Sequence, residues 1–216
     1  MSALACIAAI GVVPVVVIDD VDAAPSLGDA LCAGGLNCVE ITYRTSAAAG
    51  ALETLAADPR LTVGAGTILD AIDVDRAVSA GAEFIVSPGL DLDVMRRSRE
   101  LDVAVIPGVA TPTEVMAARR AGLSTVKLFS AEPLGGLRWL SALAAPFPDV
   151  RFIPTGGIGS SELVDYLRHP AVLAVGGSWI APRALLRACE FDEIVGLARE
   201  AVASVAAARE ADRIPA

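Results

Sequence analysis

The stretch Val103-Ala-Val-Ile-Pro-Gly-Val-Ala-Thr-Pro-Thr-Glu-Val-Met-Ala-Ala-Arg-Arg-Ala-Gly-Leu-Ser-Thr-Val-Lys-Leu-Phe129 contains one complete repeat of the chain and the start of the next. Val103 to Ile106 is a short β-branched run, and Thr113 to Gly122 is helix-like. Gly122 suits the left-handed position just past a helix end. Thr125 to Phe129 then opens a second apolar run. Similar runs occur at Val12 to Ile18, Cys38 to Thr42, Leu61 to Ala65, Phe84 to Ser87, Arg151 to Thr155 and Val172 to Val175. Their spacing of roughly 20 to 26 residues is that of a strand, a helix and two short loops. Ala23 to Gly34, Ala71 to Gly81 and Ser160 to Leu167 are further helix-like stretches, and Asp192 to Arg209 reads as a last helix.

The runs are continuously apolar rather than alternating, as expected of parallel strands buried on both faces. Eight such units without a G-x-G-x-x-G turn point to a closed (β/α)8 TIM barrel rather than an open doubly wound sheet. The chain of 216 residues, 54% hydrophobic, suits one α/β domain over 1–216, with fraying expected from about residue 210.

A net charge of -9 argues against nucleic acid as a partner, so an anionic substrate needs a local pocket. Of 17 basic residues, 16 are Arg and the single Lys is Lys127. Chance accounts for a solitary Lys as readily as function does, but only an amine can lose its proton near neutrality and attack a carbonyl. Cys6, Cys32, Cys38 and Cys189 form no C-x-x-C pair and have no His nearby in sequence, so neither zinc nor a disulfide framework is expected; no other metal and no cofactor is expected either. The apolar stretch Ala3 to Ile18 lacks a basic lead-in and is broken by Gly11 and Pro14. It therefore reads as neither a signal peptide nor a membrane helix, and a cytoplasmic protein is expected.

Barrel chemistry sits at the C-terminal ends of the strands. Glu40, Thr42 and Arg44 share one face of the second run, and Lys127 shares a face with Thr125 and Phe129. The second and sixth strands are both even-numbered, so Glu40 and Lys127 are expected in one interior layer. Their pairing is either a structural ion pair or an amine nucleophile beside a proton-shuttling carboxylate. In the second case the amine forms an iminium with a 2-keto group. The iminium accepts the electrons of a breaking carbon–carbon bond.

Pro154-Thr155-Gly156-Gly157 and Gly176-Gly177-Ser178 end the last two strands. Glycine turns here, with a helix capped by Ser160 or Ser161, suit a phosphate. Thr155, Gly156, Gly157, Gly177 and Ser178 are accordingly candidate substrate contacts. Arg44 is a candidate for a carboxylate or phosphate and Thr67 for a hydroxyl or carboxylate, although Arg44 equally suits the solvated surface and Thr67 its own turn. His169, at the opposite end of its strand, is assigned no role. A phosphate-binding isomerase or synthase without covalent chemistry, and a non-catalytic ligand-binding barrel, remain alternatives.

These motifs resemble those of the 2-keto-3-deoxy-6-phosphogluconate (KDPG) and 4-hydroxy-2-oxoglutarate (KHG) aldolase family. The resemblance runs from Val12 to about Ser204 through Val39-Glu-Ile-Thr-Tyr-Arg-Thr45, Val63-Gly-Ala-Gly-Thr67, Ser87-Pro-Gly89, Ile106-Pro-Gly108, Val126-Lys-Leu-Phe129, Pro154-Thr-Gly-Gly-Ile158 and Gly176-Gly-Ser-Trp179. It implies a metal-independent class I aldolase, assembled as a homotrimer, that yields pyruvate and glyceraldehyde 3-phosphate from a phosphorylated keto acid. Lys127 would be the Schiff-base lysine, Glu40 the proton shuttle, Arg44 and Thr67 substrate contacts, and Gly156, Gly157 and Ser178 the phosphate site. Phe129-Ser-Ala-Glu132 and Pro133-Leu-Gly-Gly136 depart from the family's Phe-Pro-Ala-Glu and Asn-Gly-Gly, which bears on substrate preference.

Overall fold

Gly35, Gly81 and Gly122 have φ of 89, 96 and 83°. Each stops a helix in the same way. The N–H of the following residue (Leu36, Ala82 or Leu123) reaches back to a carbonyl in the last turn (Leu31, Ala77 or Ala118). The starts are set by short side chains. Asp70 and Asp91 accept from the first helical N–H groups, and Thr111 with Glu114 forms a reciprocal capping box behind Pro112.

Between these stops and starts the computed structural model, which describes residues 2–211, repeats strand and helix. The strands are β1 (Val12–Val16), β2 (Cys38–Thr42), β3 (Thr62–Gly66), β4 (Phe84–Val86), β5 (Ala104–Ile106), β6 (Gly108–Val109), β7 (Thr125–Phe129), β8 (Arg151–Thr155) and β9 (Val175–Gly177). The helices are α1 (Ala3–Ile10), α2 (Ala24–Ala33), α3 (Ala48–Ala56), α4 (Ala71–Ser79), α5 (Leu92–Glu100), α6 (Pro112–Arg120), α7 (Gly136–Ala144), α8 (Leu163–Leu167), α9 (Arg183–Ala188) and α10 (Phe191–Ala211).

All strand pairs are parallel, in the order β5-β4-β3-β2-β1-β9-β8-β7-β6. The two ends of that order, β5 and β6, are consecutive in sequence and separated only by Pro107. Pro107 has no N–H to give to the ladder, while its carbonyl accepts from Lys127 N–H at 2.9 Å. β5 and β6 are thus one barrel strand interrupted at a proline, and the ring of eight closes as expected.

Alternation divides the apolar residues into two cores. Val39, Ile41, Val63, Val126, Leu128 and Phe152 face outward to the helices. Val13, Cys38, Phe84, Val86, Ile106 and Ile153 face inward, where Ile7 of α1 joins them with no exposed surface. Gly11 (φ 80°) turns α1 directly into β1, which places the helix across the N-terminal end of the barrel as its floor. The sequence reading did not anticipate this helix.

Most expected boundaries shift by one or two residues, and two starts shift by three. β9 begins at Val175 rather than Val172, which makes only an isolated bridge to Phe152. The helix expected from Ser160 starts at Leu163. The expectation of fraying from about residue 210 falls mostly outside the described residues. No helix among the described residues is long and apolar enough to cross a membrane.

Candidate active site

Cys38, Glu40 and Thr42 alternate with Val39 and Ile41, so packing the latter against the helices turns Glu40 into the barrel. The same alternation around Val126 and Leu128 turns Lys127 inward from β7. The two side chains meet across the interior, with Lys127 Nζ 3.4 Å from Glu40 Oε1 and each side chain 6% exposed. The Phe129 ring centroid lies 5.1 Å from Nζ. Below the pair are Ile7, Val13, Phe84, Val86, Ile106 and Ile153, which line the same small chamber. Desolvating two ions costs several kcal/mol each, and an apolar pair of similar size commonly serves stability as well or better.

Glycine makes the room. A Cβ on Gly66 would stand 2.0 Å from Glu40 Oε1, and one on Gly64 would stand 2.2 Å from the Phe84 ring. A Cβ on Gly176 would lie 2.3 Å from Thr155 Oγ1. Glycine inside a strand marks such close approaches. Thr155 is buried on the chamber wall, and its hydroxyl makes only a long 3.4 Å bond to the Ile153 carbonyl of its own strand. That leaves the hydroxyl available to a ligand beside Lys127.

Arg44 and Thr67 are brought together on the rim, with Arg44 Nε donating to Thr67 Oγ1 at 3.0 Å. Thr67 holds φ of 59°, an uncommon conformation for a β-branched residue and one that aims its hydroxyl at Arg44. Among the described residues Arg44 makes no ion pair. The glycine turns lie beyond β1 from this rim, at the ends of β8 and β9. Gly156 and Gly157 have φ of 100 and 85°. Among the described residues, the N–H groups of Gly157 and Ser178 donate to no protein acceptor. Two unpaired donors at adjacent strand ends suit an anion.

The anticipated serine cap is absent. Neither Ser160 nor Ser161 caps the five-residue α8. Glu162 has taken over the turn: it accepts from Gly159 N–H at 2.9 Å and from Ser161 Oγ at 2.7 Å. The carboxylate, three residues after Gly159 and one after Ser161, is a strong acceptor for these two donors. His169 accepts from Ala171 N–H at 3.2 Å, at the barrel end away from the chamber.

The sequence reading missed Glu132 and Tyr166. Beyond β7 the ladder continues, as Ala131 N–H donates to Thr155 O at 2.9 Å and Glu132 N–H to Gly156 O at 3.0 Å. The Tyr166 hydroxyl then donates to Glu132 Oε1 at 2.5 Å. Burial, with this bond, pushes the Tyr166 hydroxyl pKa well above its usual range. A Cβ on Gly157 would be 2.7 Å from Glu132 Cβ, so the Glu132 side chain is the support on which the glycine turn rests. The signal available in the sequence was a tyrosine on the buried side of an otherwise ordinary helix.

A buried amine beside a carboxylate, at the C-terminal mouth of a closed barrel, is equipment for carbonyl chemistry. Comparison with known proteins agrees. The chain belongs to the KDPG and KHG aldolase family, carbon–carbon lyases whose profile matches residues 5–197. It is 42% identical over 192 residues to the KHG/KDPG aldolase of Escherichia coli K12, spanning 88% of this chain and 90% of that one. The crystal structure of the Zymomonas mobilis ZM4 2-keto-3-deoxy-6-phosphogluconate aldolase with 3-phosphoglycerate superposes with a TM-score of 0.88 at 41% identity, covering 93% of this chain and 95% of that one. The KDPG aldolase of Legionella pneumophila, with pyruvate captured at low pH as a covalent carbinolamine intermediate, gives 0.88 at 38% identity, covering 92% and 97%.

Proposed function

We propose that this chain cleaves 2-dehydro-3-deoxy-6-phosphogluconate reversibly to pyruvate and glyceraldehyde 3-phosphate through a Schiff base on Lys127, and also accepts 4-hydroxy-2-oxoglutarate. The observation that carries this is the contact between the only lysine of the chain and a buried carboxylate in an otherwise apolar chamber.

In this mechanism Lys127 Nζ adds to the C2 ketone to give a carbinolamine, which loses water to an iminium. Glu40 takes the proton of the 4-hydroxyl as the C3–C4 bond breaks. The bonding pair moves to C3 and into the iminium, giving an enamine and releasing the aldehyde. Glu40 returns its proton to C3, and water then hydrolyses the iminium to pyruvate and free Lys127. Thr155 contacts the pyruvyl end. Arg44 and Thr67 hold a carboxylate or hydroxyl at the rim, and Gly156, Gly157, Gly177 and Ser178 receive the phosphate.

Intact mass after incubation with pyruvate and sodium borohydride tests the reading. A pyruvate-sized gain is expected in wild type and none in Lys127→Arg. Folded wild type that gains no mass in ample pyruvate overturns it, and leaves the non-covalent barrel isomerase in first place.

We further propose a homotrimer, on family resemblance and on an apolar patch at the starts of two adjacent helical units. Leu69, Ile72 and Leu92 are 60, 62 and 64% exposed there. Light scattering is expected to give a trimer mass for wild type and a smaller one for Ile72→Asp; a wild-type monomer at micromolar concentration sinks the proposal. A phosphorylated sugar acid is retained within cells, which supports a cytoplasmic location.

A further inference from the structure

β1 and β9 are parallel neighbours, with Val13 opposite Gly176 and Pro14 opposite Gly177. The chain leaving each strand therefore rises on the same side of the mouth, one branch passing Ile18 to Asp19 and the other passing Ser178 to Arg183. The two branches meet in an ion pair. Arg183 Nε lies 2.7 Å from Asp19 Oδ2, with Arg183 Nη2 on Oδ1, and Arg187 Nε lies 2.8 Å from Oδ2. Arg183 and Arg187 are the only basic residues between Val175 and Asp192. Both cations that follow the Ser178 turn are thus held by one carboxylate.

The acids nearby are otherwise committed. Glu132 accepts from Tyr166, and Glu162 accepts from Gly159 and Ser161. Asp19 has no function in those turns. The Arg183 and Arg187 guanidiniums hold its carboxyl well below the usual carboxylate range, so it stays ionised at any working pH. The ion pair is only partly shielded, with side-chain exposures of 28% for Asp19, 47% for Arg183 and 61% for Arg187. Such an exposed pair contributes little to stability.

We propose that Asp19 is a specificity-determining residue that competes with the substrate's phosphate for the Arg183 guanidinium. The inference rests on the assignment of the Gly157 and Ser178 turns to the phosphate. A phosphate seated on those N–H groups still has oxygens to offer to a bidentate donor, and Arg183 is the fork that follows the turn. To take its Nε–Nη2 edge, the phosphate must displace an aspartate that is already bidentate there. A substrate that ends in a second carboxylate instead of the longer phosphorylated arm, as 4-hydroxy-2-oxoglutarate does, ends short of Arg183 and gains nothing from it. Asp19 therefore narrows the advantage of phosphorylated over unphosphorylated substrate.

The test is the ratio of kcat/KM for 2-dehydro-3-deoxy-6-phosphogluconate to that for 4-hydroxy-2-oxoglutarate, in wild type, Asp19→Asn and Arg183→Gln. Asp19→Asn is expected to raise the ratio about tenfold through a lower KM for the phosphorylated substrate, and Arg183→Gln to lower it by a similar factor. An unchanged ratio in Asp19→Asn, or equal loss with both substrates, overturns the proposal and leaves the pair a surface tie between two loops. Pyruvate–borohydride adducts measured on the same three proteins separate the two levels. Adducts in all three with an unchanged ratio sink only the role of Asp19, whereas no adduct in wild type sinks the Schiff-base reading itself.

Discussion

Lys127→Met is expected to lower kcat by at least about 10⁴-fold and to destabilise the fold by about 3 kcal/mol, and adding Glu40→Gln is expected to restore most of the stability and none of the activity. Lys127 and Glu40 are each 6% exposed and 3.4 Å apart, so removing the amine leaves a carboxylate in an apolar chamber without its partner. That uncompensated charge is the source of the stability loss, and neutralising it in the double variant removes the source. Activity does not follow, because neither Met nor Gln can form an iminium. Urea denaturation and steady-state kinetics on the two single variants and the double variant close the cycle. Single and double variants of equal stability would show that the two groups are not energetically coupled.

Gly66→Ala is expected to lower kcat by about 10²- to 10³-fold while pyruvate adduct formation persists. The new methyl would occupy a position 2.0 Å from Glu40 Oε1. Glu40 cannot stay where it is, and the strand around Gly66 pairs with β2 residue by residue, so the backbone has little freedom to yield. The carboxylate moves, the amine does not. In the proposed mechanism imine formation with pyruvate requires chiefly Lys127, whereas cleavage requires a base at the 4-hydroxyl. Borohydride trapping measured beside the retro-aldol rate distinguishes these steps. Loss of both together, in a protein that still unfolds cooperatively, would mean that Gly66 supports the whole barrel rather than the carboxylate.

The sequence carried the fold where one residue type has one physical use. Continuous Val and Ile runs and stops such as Gly122 placed the units, because a left-handed stop excludes most other residues. The meeting of Lys127 and Glu40 was legible from strand alternation together with the layering of even-numbered strands. The floor helix was not, since Ala3 to Ile18 is apolar throughout and periodicity cannot divide a helix from the strand that follows it. The interior glycines 64, 66 and 176 were read as bends or turns or left unremarked. Their use is to vacate space for Phe84, Glu40 and Thr155, and those neighbours come from other strands. The serine caps failed for a related reason: Ser160 and Ser161 fit the pattern, but Ser161 Oγ donates to Glu162 instead, and neither hydroxyl caps α8.

The helix across the N-terminal end gives the chamber a single door. Ile7 at its centre has no exposed surface, so nothing drains through the bottom of the barrel. Traffic to Lys127 is therefore last in, first out. In the proposed mechanism the aldehyde, held nearer the mouth, departs before the pyruvyl fragment tethered below it. In the direction of synthesis pyruvate must be seated before the aldehyde arrives, and an aldehyde that enters an empty chamber blocks the way to the amine. Sealing one end of the barrel thus dictates the order in which the reactants queue.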